Sequence, residues 1–469
     1  MDALQKQLQD LLAPFGQEHV LRFWNELDDE RRRQLADQVR GLRLTEVDQL
    51  FRAGHALSDC AEQARRAMAP PAFRLGTRQP AISSQQAIER GHEALAAGQV
   101  GVIVVAGGQG TRLGFDKPKG MFPIGPVSGA SLFQILFEKV LARSRASGMR
   151  IPVYLMTSDA THAETIEYLR ARENFGLAGE DLCVFCQGNM PAVDAASGRL
   201  LLADKFELAL SPDGHGGMLR AMSVGGVLDD LRGRGIRQLF YCQVDNPLVE
   251  IADPQFLGYH LLAGSELSTQ VVAKQTSRDK VGNVVSIDGK LQIIEYSDLN
   301  PLDDTIVERR AADGTPVFWA GNTAIHVFDV DFLQRTAQTE SALPFHVAKK
   351  AVAYVDEGGR KVEPKSPNAV KFERFIFDLL PAARQSIVVE VDESQAFAPV
   401  KNAPGEPRDT PESVQAQMNA LYAAWLRAAG CNVDETATVE ISPQFAQNAS
   451  ELAARISPGL RVTGRQYFC

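Results

Sequence analysis

Residues 102–114 read Val102-Ile-Val-Val-Ala-Gly-Gly-Gln-Gly-Thr-Arg-Leu-Gly114, and Pro118-Lys119-Gly120 follows closely. The apolar run from Val102 to Ala106 has the length and β-branched content of a buried strand. Glycines placed directly after it let the backbone turn sharply and aim its N–H groups at a phosphate. Two familiar phosphate loops do not fit. A Walker loop needs Lys and then Ser or Thr after its last glycine, whereas Gly110 is followed by Thr111 and Arg112. The dinucleotide fingerprint needs glycines at 108, 110 and 113, and position 113 is Leu. What remains is a glycine loop carrying Arg112 and then Lys119, two cations that can face a triphosphate.

Outward from this loop, short apolar runs alternate with helical patterns. A helix over Gln85 to Ala97 leads in, and another over Ser131 to Ser147 leads out. Then come Val153-Tyr-Leu-Met-Thr157, a helix whose Thr161 and Glu164 stand in capping-box spacing, and Leu182-Cys-Val-Phe-Cys186. A helix over Gly217 to Arg232 precedes Leu239-Phe-Tyr-Cys-Gln-Val244. This order predicts an α/β fold, a Rossmann-like mixed and mostly parallel sheet with helices on both faces. Such sheets bind ligands at the carboxyl ends of their strands, where the glycine loop and Asp245 fall. Further on, Val284 to Ile294 alternates around Asp288-Gly289 and reads as a β-hairpin.

The flanks read differently. Residues 1–67 look helical, with Leu11, Leu12, Val20, Leu21, Phe23, Trp24 and Leu27 near a 3.6 period. Ala69-Pro-Pro-Ala-Phe and the stretch through Gln79-Pro80 break that pattern as a linker would. The expected organisation is an N-terminal helical region and linker over 1–80, a catalytic domain over 81–404 and a small C-terminal domain over 405–469, opened by a helix from Pro411 to Ala429.

Bulk composition bounds the function. The chain has 469 residues, 45% hydrophobic and 23% charged, with a formal net charge of −9. An acidic protein is a poor partner for nucleic acid, whose phosphates reward basic surfaces. Six scattered cysteines fit reduced thiols in the cytoplasm better than a disulfide framework. The start lacks a secretory h-region, and no apolar run approaches membrane-spanning length, so no membrane partner is expected. Cys183 and Cys186 lie in one predicted strand with no second pair, an arrangement poorly suited to zinc.

The passage around Arg112 resembles the signature of UDP-sugar pyrophosphorylases, most closely the eukaryotic-type UDP-N-acetylglucosamine pyrophosphorylases. Similarity continues in order through Met156-Thr-Ser158, Gln187-Gly188, Ser211-Pro-Asp-Gly-His-Gly-Gly217 and Val244-Asp-Asn246. It extends to Val281-Gly282, Glu295-Tyr-Ser297, Ala320-Gly-Asn322, Pro367-Asn368, Phe375-Ile-Phe-Asp378 and Pro399-Val-Lys-Asn402. The resemblance implies a nucleotidyltransferase core that joins UTP to a sugar 1-phosphate. It implies a nucleotide held by Ala106, Gly107, Gly108, Gln187, Gly214 and His215, and triphosphate and reacting phosphates faced by Arg112, Lys119 and Lys401. Asp245 would bind Mg²⁺, while Gly282, Glu295, Asn322, Phe375 and Phe377 would line the sugar pocket. One position departs: His215 stands where N-acetylglucosamine enzymes usually carry Asn, and glucose-type or broad-specificity relatives carry Gly-His-Gly.

The residues support these roles chemically. A side-chain amide such as Gln187 offers both donor and acceptor to a uracil edge. A carboxylate just after a strand is a hard oxygen ligand. The expected reaction yields UDP-N-acetylglucosamine and pyrophosphate, with UDP-glucose or several UDP-sugars as the alternative product. A nucleotide-sugar sensor without turnover is the non-enzymatic alternative, and it would not need the charge set that this chain retains. The sequence says nothing of oligomeric state.

Overall fold

The computed structural model describes residues 2–53, 60–77, 82–339 and 343–469. Contacts divide the chain into two compact units that are not contiguous in sequence. The larger comprises 60–186, 221–342 and 379–469, and the smaller comprises 1–59, 187–220 and 343–378.

The larger unit is built on a ten-stranded sheet. In chain order its strands are β1 (Ala72–Phe73), β2 (Val100–Val105), β3 (Val153–Thr157), β4 (Leu182–Cys186), β5 (Gln238–Gln243), β6 (Leu267–Ala273), β7 (Asn283–Ile287), β8 (Lys290–Ile294), β9 (Ala320–Asp329) and β10 (Ser386–Glu390). Their spatial order is β1-β10-β6-β9-β5-β2-β3-β4, with β7 pairing β9 and β8. Neighbours along this path are parallel except at β9, which runs antiparallel to both β6 and β5. The mixed, mostly parallel sheet matches the expectation from sequence. Its central strands are buried on both faces, so β2 and β3 are buried nearly end to end rather than alternating between buried and exposed positions.

Local signals fixed most elements. Ser83 caps the Ser84–Ala96 helix in a full capping box with Gln86, and Ser131 caps Leu132–Ser147. The β7–β8 hairpin turns at Asp288 (φ 52°) and Gly289 (φ 76°), the two positive angles a type I′ turn demands. Residues 411–469 contribute a Pro411–Ala428 helix and two small parallel ladders, and Val414, Met418, Leu426 and Val439 join the apolar core beneath the main sheet.

Four expectations need correction. The helix after β3 spans Asp159–Arg170, capped by Ser158 with Thr161, so the Thr161–Glu164 pair is not its box. The 217–232 segment is two helices, Gly217–Val224 and Val227–Gly233, broken where Gly226 takes a φ of 72°. Ala72 and Phe73, read as linker, add an edge strand by pairing with Val388 and Val389. That pairing depends on a partner more than 300 residues away, which no local signal announces; Gln79-Pro80 lies outside the described residues. Finally, Val20 to Glu26 forms short 3₁₀ turns rather than continuing the first helix, because Pro14 and the left-handed Gly16 (φ 66°) end it.

The smaller unit buries Leu8, Leu12, Trp24, Leu35 and Val47 of its helices against Val193, Leu200, Val370 and Phe372. Its three-stranded antiparallel sheet orders His346–Lys350, Ala369–Glu373 and Val193–Asp194. No helix among the described residues is long and apolar enough to cross a membrane. Cys183, Cys242, Cys431 and Cys469 are free thiols.

Candidate active site

At the carboxyl end of β2 the chain enters the glycine loop. A short 3₁₀ turn, Thr111–Leu113, follows it rather than a long helix, so the loop supplies amides without a helix dipole. Gly110 N donates to Lys117 O at 2.9 Å, and Lys119 N donates to Gly108 O at 3.0 Å, closing the loop on itself. Ser158 Oγ donates to Gly107 O at 2.7 Å, and Ala106 N donates to Met156 O at 2.7 Å. The Met-Thr-Ser motif at the end of β3 therefore braces the glycines from the adjacent strand. Arg112 projects from the 3₁₀ turn and is exposed.

β5 is the parallel neighbour of β2 on its other side, so Asp245 emerges beside the loop. Lys119 Nζ lies 3.1 Å from Asp245 Oδ2, with the two side chains 17% and 11% exposed. Burial alone would raise the Asp245 carboxyl, but the charges of Lys119 and Lys401 outweigh it and hold the group below its ordinary value. Asp245 is thus an ionised carboxylate in a largely dry setting, faced by two cations. Lys401 arrives because Val400 N donates to Asp245 O at 2.8 Å.

A second cluster lies on the same unit where β7 and β9 meet. Asn322 N donates to Gly282 O at 2.8 Å. A Cβ at Gly282 would stand 2.9 Å from Glu295 Oε1 and 3.7 Å from Asn322 Cβ, so this glycine leaves the space that the two polar side chains border. Asn322 Oδ1 accepts from Ala324 N at 3.0 Å, which fixes its amide plane. Lys274 donates to Ser277 O and to Asn283 Oδ1 nearby, and burial lowers its ammonium to about 8.

The remaining residues of the expected set meet on the smaller unit. Gln187 Nε2 donates to Gly214 O at 3.3 Å and lies 3.4 Å from Asp213 Oδ1. Burial pushes the Asp213 carboxyl up to about 6. Gly214 has a φ of +83°, and a Cβ there would meet Arg374 O at 2.4 Å; only glycine allows this approach. His215 Nδ1 accepts from Ile376 N at 3.2 Å, so its proton sits on Nε2. Burial, with His346 adding to it, lowers this imidazole to about 4 and keeps it neutral. Its ring stacks 5.3 Å from Phe375 and lies 5.5 Å from Phe377, and the two phenylalanines are 5.2 Å apart. Phe375 and Phe377 follow the Ala369–Glu373 strand instead of sharing one of its faces.

The family model described as UTP–glucose-1-phosphate uridylyltransferase matches residues 63–430. The chain belongs to this uridylyltransferase family. Among its relatives, a UDP-N-acetylhexosamine pyrophosphorylase-like protein 1 of Xenopus tropicalis is 36% identical, covering 90% of this chain and 84% of the relative. The UDP-N-acetylglucosamine pyrophosphorylase of Saccharomyces cerevisiae is 37% identical over 78% of each chain. Among solved structures, the uridine diphosphate N-acetylglucosamine pyrophosphorylase of Trypanosoma brucei, in complex with an inhibitor, aligns over 99% of both chains with a TM-score of 0.82. At 23% identity that likeness speaks for the fold.

In this uridylyltransferase, three supporting residues were not singled out from sequence. Ser158 and Asn246 lay inside quoted motifs; Ser158 holds Gly107 of the glycine loop, and Asn246 holds Ala398, two residues before the Val400 that binds the Asp245 carbonyl. Arg374 carried no local signal. Its N–H donates to Asp213 O at 2.8 Å and its carbonyl accepts from Gly216 N at 2.8 Å, which shapes the Gly214 turn from a distant segment.

Proposed function

We propose that this uridylyltransferase makes UDP-N-acetylglucosamine and pyrophosphate from UTP and N-acetylglucosamine 1-phosphate. The observation that carries the chemistry is the Lys119–Asp245 pair at the mouth of the glycine loop, with Lys401 close enough for its charge to act on the same carboxylate. A sugar-phosphate oxygen attacks the α-phosphorus of UTP. A new phosphorus–oxygen bond forms as the bond to the bridging oxygen of the β-phosphate breaks, and pyrophosphate leaves with that electron pair. The sugar phosphate is already ionised at neutral pH, so no general base is required. Both reactants are anions, and preorganised cations reduce their repulsion and fix the line of attack. We assign Arg112 and Lys119 to the triphosphate and Lys401 to the reacting phosphates.

Asp245 suits a divalent cation that comes with its phosphates. No group of three or more His, Cys, Asp or Glu side chains stands ready to hold a metal among the described residues. Mg²⁺ needs no such cage, since it commonly takes one or two carboxylates together with substrate oxygens. Bound there, Mg²⁺ would offset charge on the leaving pyrophosphate. Gln187 and Gly214 are assigned to the uracil edge, and Gly282, Glu295 and Asn322 to the sugar. The names of the yeast and Xenopus relatives support an N-acetylated sugar.

His215 favours a second reading, in which glucose 1-phosphate or several sugar phosphates serve. Pyrophosphate release measured with UTP, Mg²⁺ and a panel of sugar 1-phosphates separates the two. N-acetylglucosamine 1-phosphate is expected to exceed glucose 1-phosphate in kcat/KM by well over about tenfold, since one methyl contact supplies only ~1 kcal/mol and amide hydrogen bonding must add the rest. Equal efficiency would favour the second reading. Comparable rates with ATP or GTP would overturn the uridine assignment.

A further inference from the structure

Residues 397–401 form no strand, although 397–400 are buried. Buried backbone must still find hydrogen-bond partners. In this segment a side chain supplies them. Asn246, 3% exposed, accepts at Oδ1 from Ala398 N at 3.0 Å and from Leu248 N at 3.1 Å, and donates from Nδ2 to Ala396 O at 2.8 Å. A carboxamide has the donor and acceptor of a peptide unit, so Asn246 stands in for one rung of a missing ladder. The next rung is backbone: Val400 N donates to Asp245 O, and Lys401 follows immediately. Lys139 steadies the other side of this turn, donating from Nζ to Pro247 O at 2.6 Å and to Val249 O at 2.8 Å.

We propose that Asn246 is a positioning residue that sets the register of the 396–401 segment and so brings Lys401 to Asp245. It touches no reacting atom. Asp245 and Lys401 sit in separate parts of the sequence, and the Asn246 amide and the Asp245 carbonyl are the ties between them just described. Removing the amide leaves three backbone groups, the N–H of Ala398 and of Leu248 and the C=O of Ala396, without these partners. The segment then slides or loosens, and the Lys401 ammonium leaves its place.

The rate readout of this inference rests on the proposed reaction, and a second readout does not. Asn246→Ala is expected to lower kcat by about tenfold or more while KM for UTP changes less than about threefold. In a Lys401→Met background the same substitution should cost less than about twofold further, because coupled residues are not additive. Full multiplication of the two losses would overturn the proposal. Asn246→Leu keeps much of the shape and deletes both the donor and the acceptor without adding charge, so it serves the same cycle should the alanine variant fail to fold. Independently of turnover, amide exchange at Ala398 and Val400 should quicken at least about tenfold in either variant, while β2 stays protected. Unchanged exchange there would sink the proposal even in an active enzyme. Absence of turnover by the unmodified protein would instead sink the reaction and leave the exchange test to decide the role of Asn246.

Discussion

Lys119 Nζ stands 3.1 Å from Asp245 Oδ2 across 126 residues of sequence. The sheet makes the meeting: β2 and β5 are parallel neighbours, with Val105 opposite Gln243, so the loops leaving both strands open at one edge. Burial would raise the Asp245 carboxyl, but the charges of Lys119 and Lys401 hold it ionised, as the proposed metal-ligand role requires.

Replacing Asp245 with Asn should therefore cut turnover by more than about a hundredfold. It should also cost stability, since Lys119 loses its partner in a mostly buried site. Steady-state assays across a Mg²⁺ series, with urea unfolding alongside, check both parts. A variant with normal rate and unchanged Mg²⁺ dependence would remove Asp245 from the chemistry.

Arg112→Met and Lys401→Met each keep an apolar stem and delete a charge. Stability should barely move for Arg112, which is exposed. Turnover should fall by roughly a hundred- to a thousandfold, and more for Arg112, whose planar fork can grip two phosphate oxygens. Near-normal rates in both variants would contradict the electrostatic mechanism.

Asp213 sets a pH dependence of stability. Its folded value of about 6 lies above the ordinary 3.8, so the folded protein holds this proton more tightly than the unfolded chain. Its contribution is fully present below about pH 4 and is lost as pH rises through 6. Asp213→Asn removes that loss. Relative to the unmodified protein, the variant should gain up to about 3 kcal/mol between pH 4 and 7, read from urea midpoints at each pH. A difference that does not vary with pH would show that Asp213 titrates normally.

Gly214→Ala places a methyl 2.4 Å from Arg374 O at a φ of +83°. Backbone must move, at a cost of at least about 2 kcal/mol. Chemical denaturation measures it, and a loss below about 0.5 kcal/mol would mean that the turn relaxes freely.

Asn322→Ala should shrink the preference for N-acetylglucosamine 1-phosphate over glucose 1-phosphate toward parity. The substitution removes the polar partner proposed for the acetamido group while leaving in place the residues assigned to the nucleotide. Ratios of kcat/KM for the two sugars decide it, and an unchanged ratio would take Asn322 out of the specificity pocket.

Much of this was legible in the chain itself. The apolar runs, the serine caps, the Asp288-Gly289 turn and the glycine cluster are local signals, because backbone geometry and helix ends are satisfied by neighbours in sequence. The same locality explains the ordered motifs that named the candidate residues. What the chain could not show is which distant segments close on one another. The antiparallel insertion of β9, the edge pairing of Ala72 with Val388, and the gathering of Phe375 and Phe377 on His215 all depend on partners scores or hundreds of residues away. So does the assembly of the smaller unit from three separate stretches around one apolar core. Composition fixes that such apolar faces must be buried; only tertiary packing decides against what, since burial rewards any complementary surface and backbone groups accept any partner that completes their hydrogen bonds.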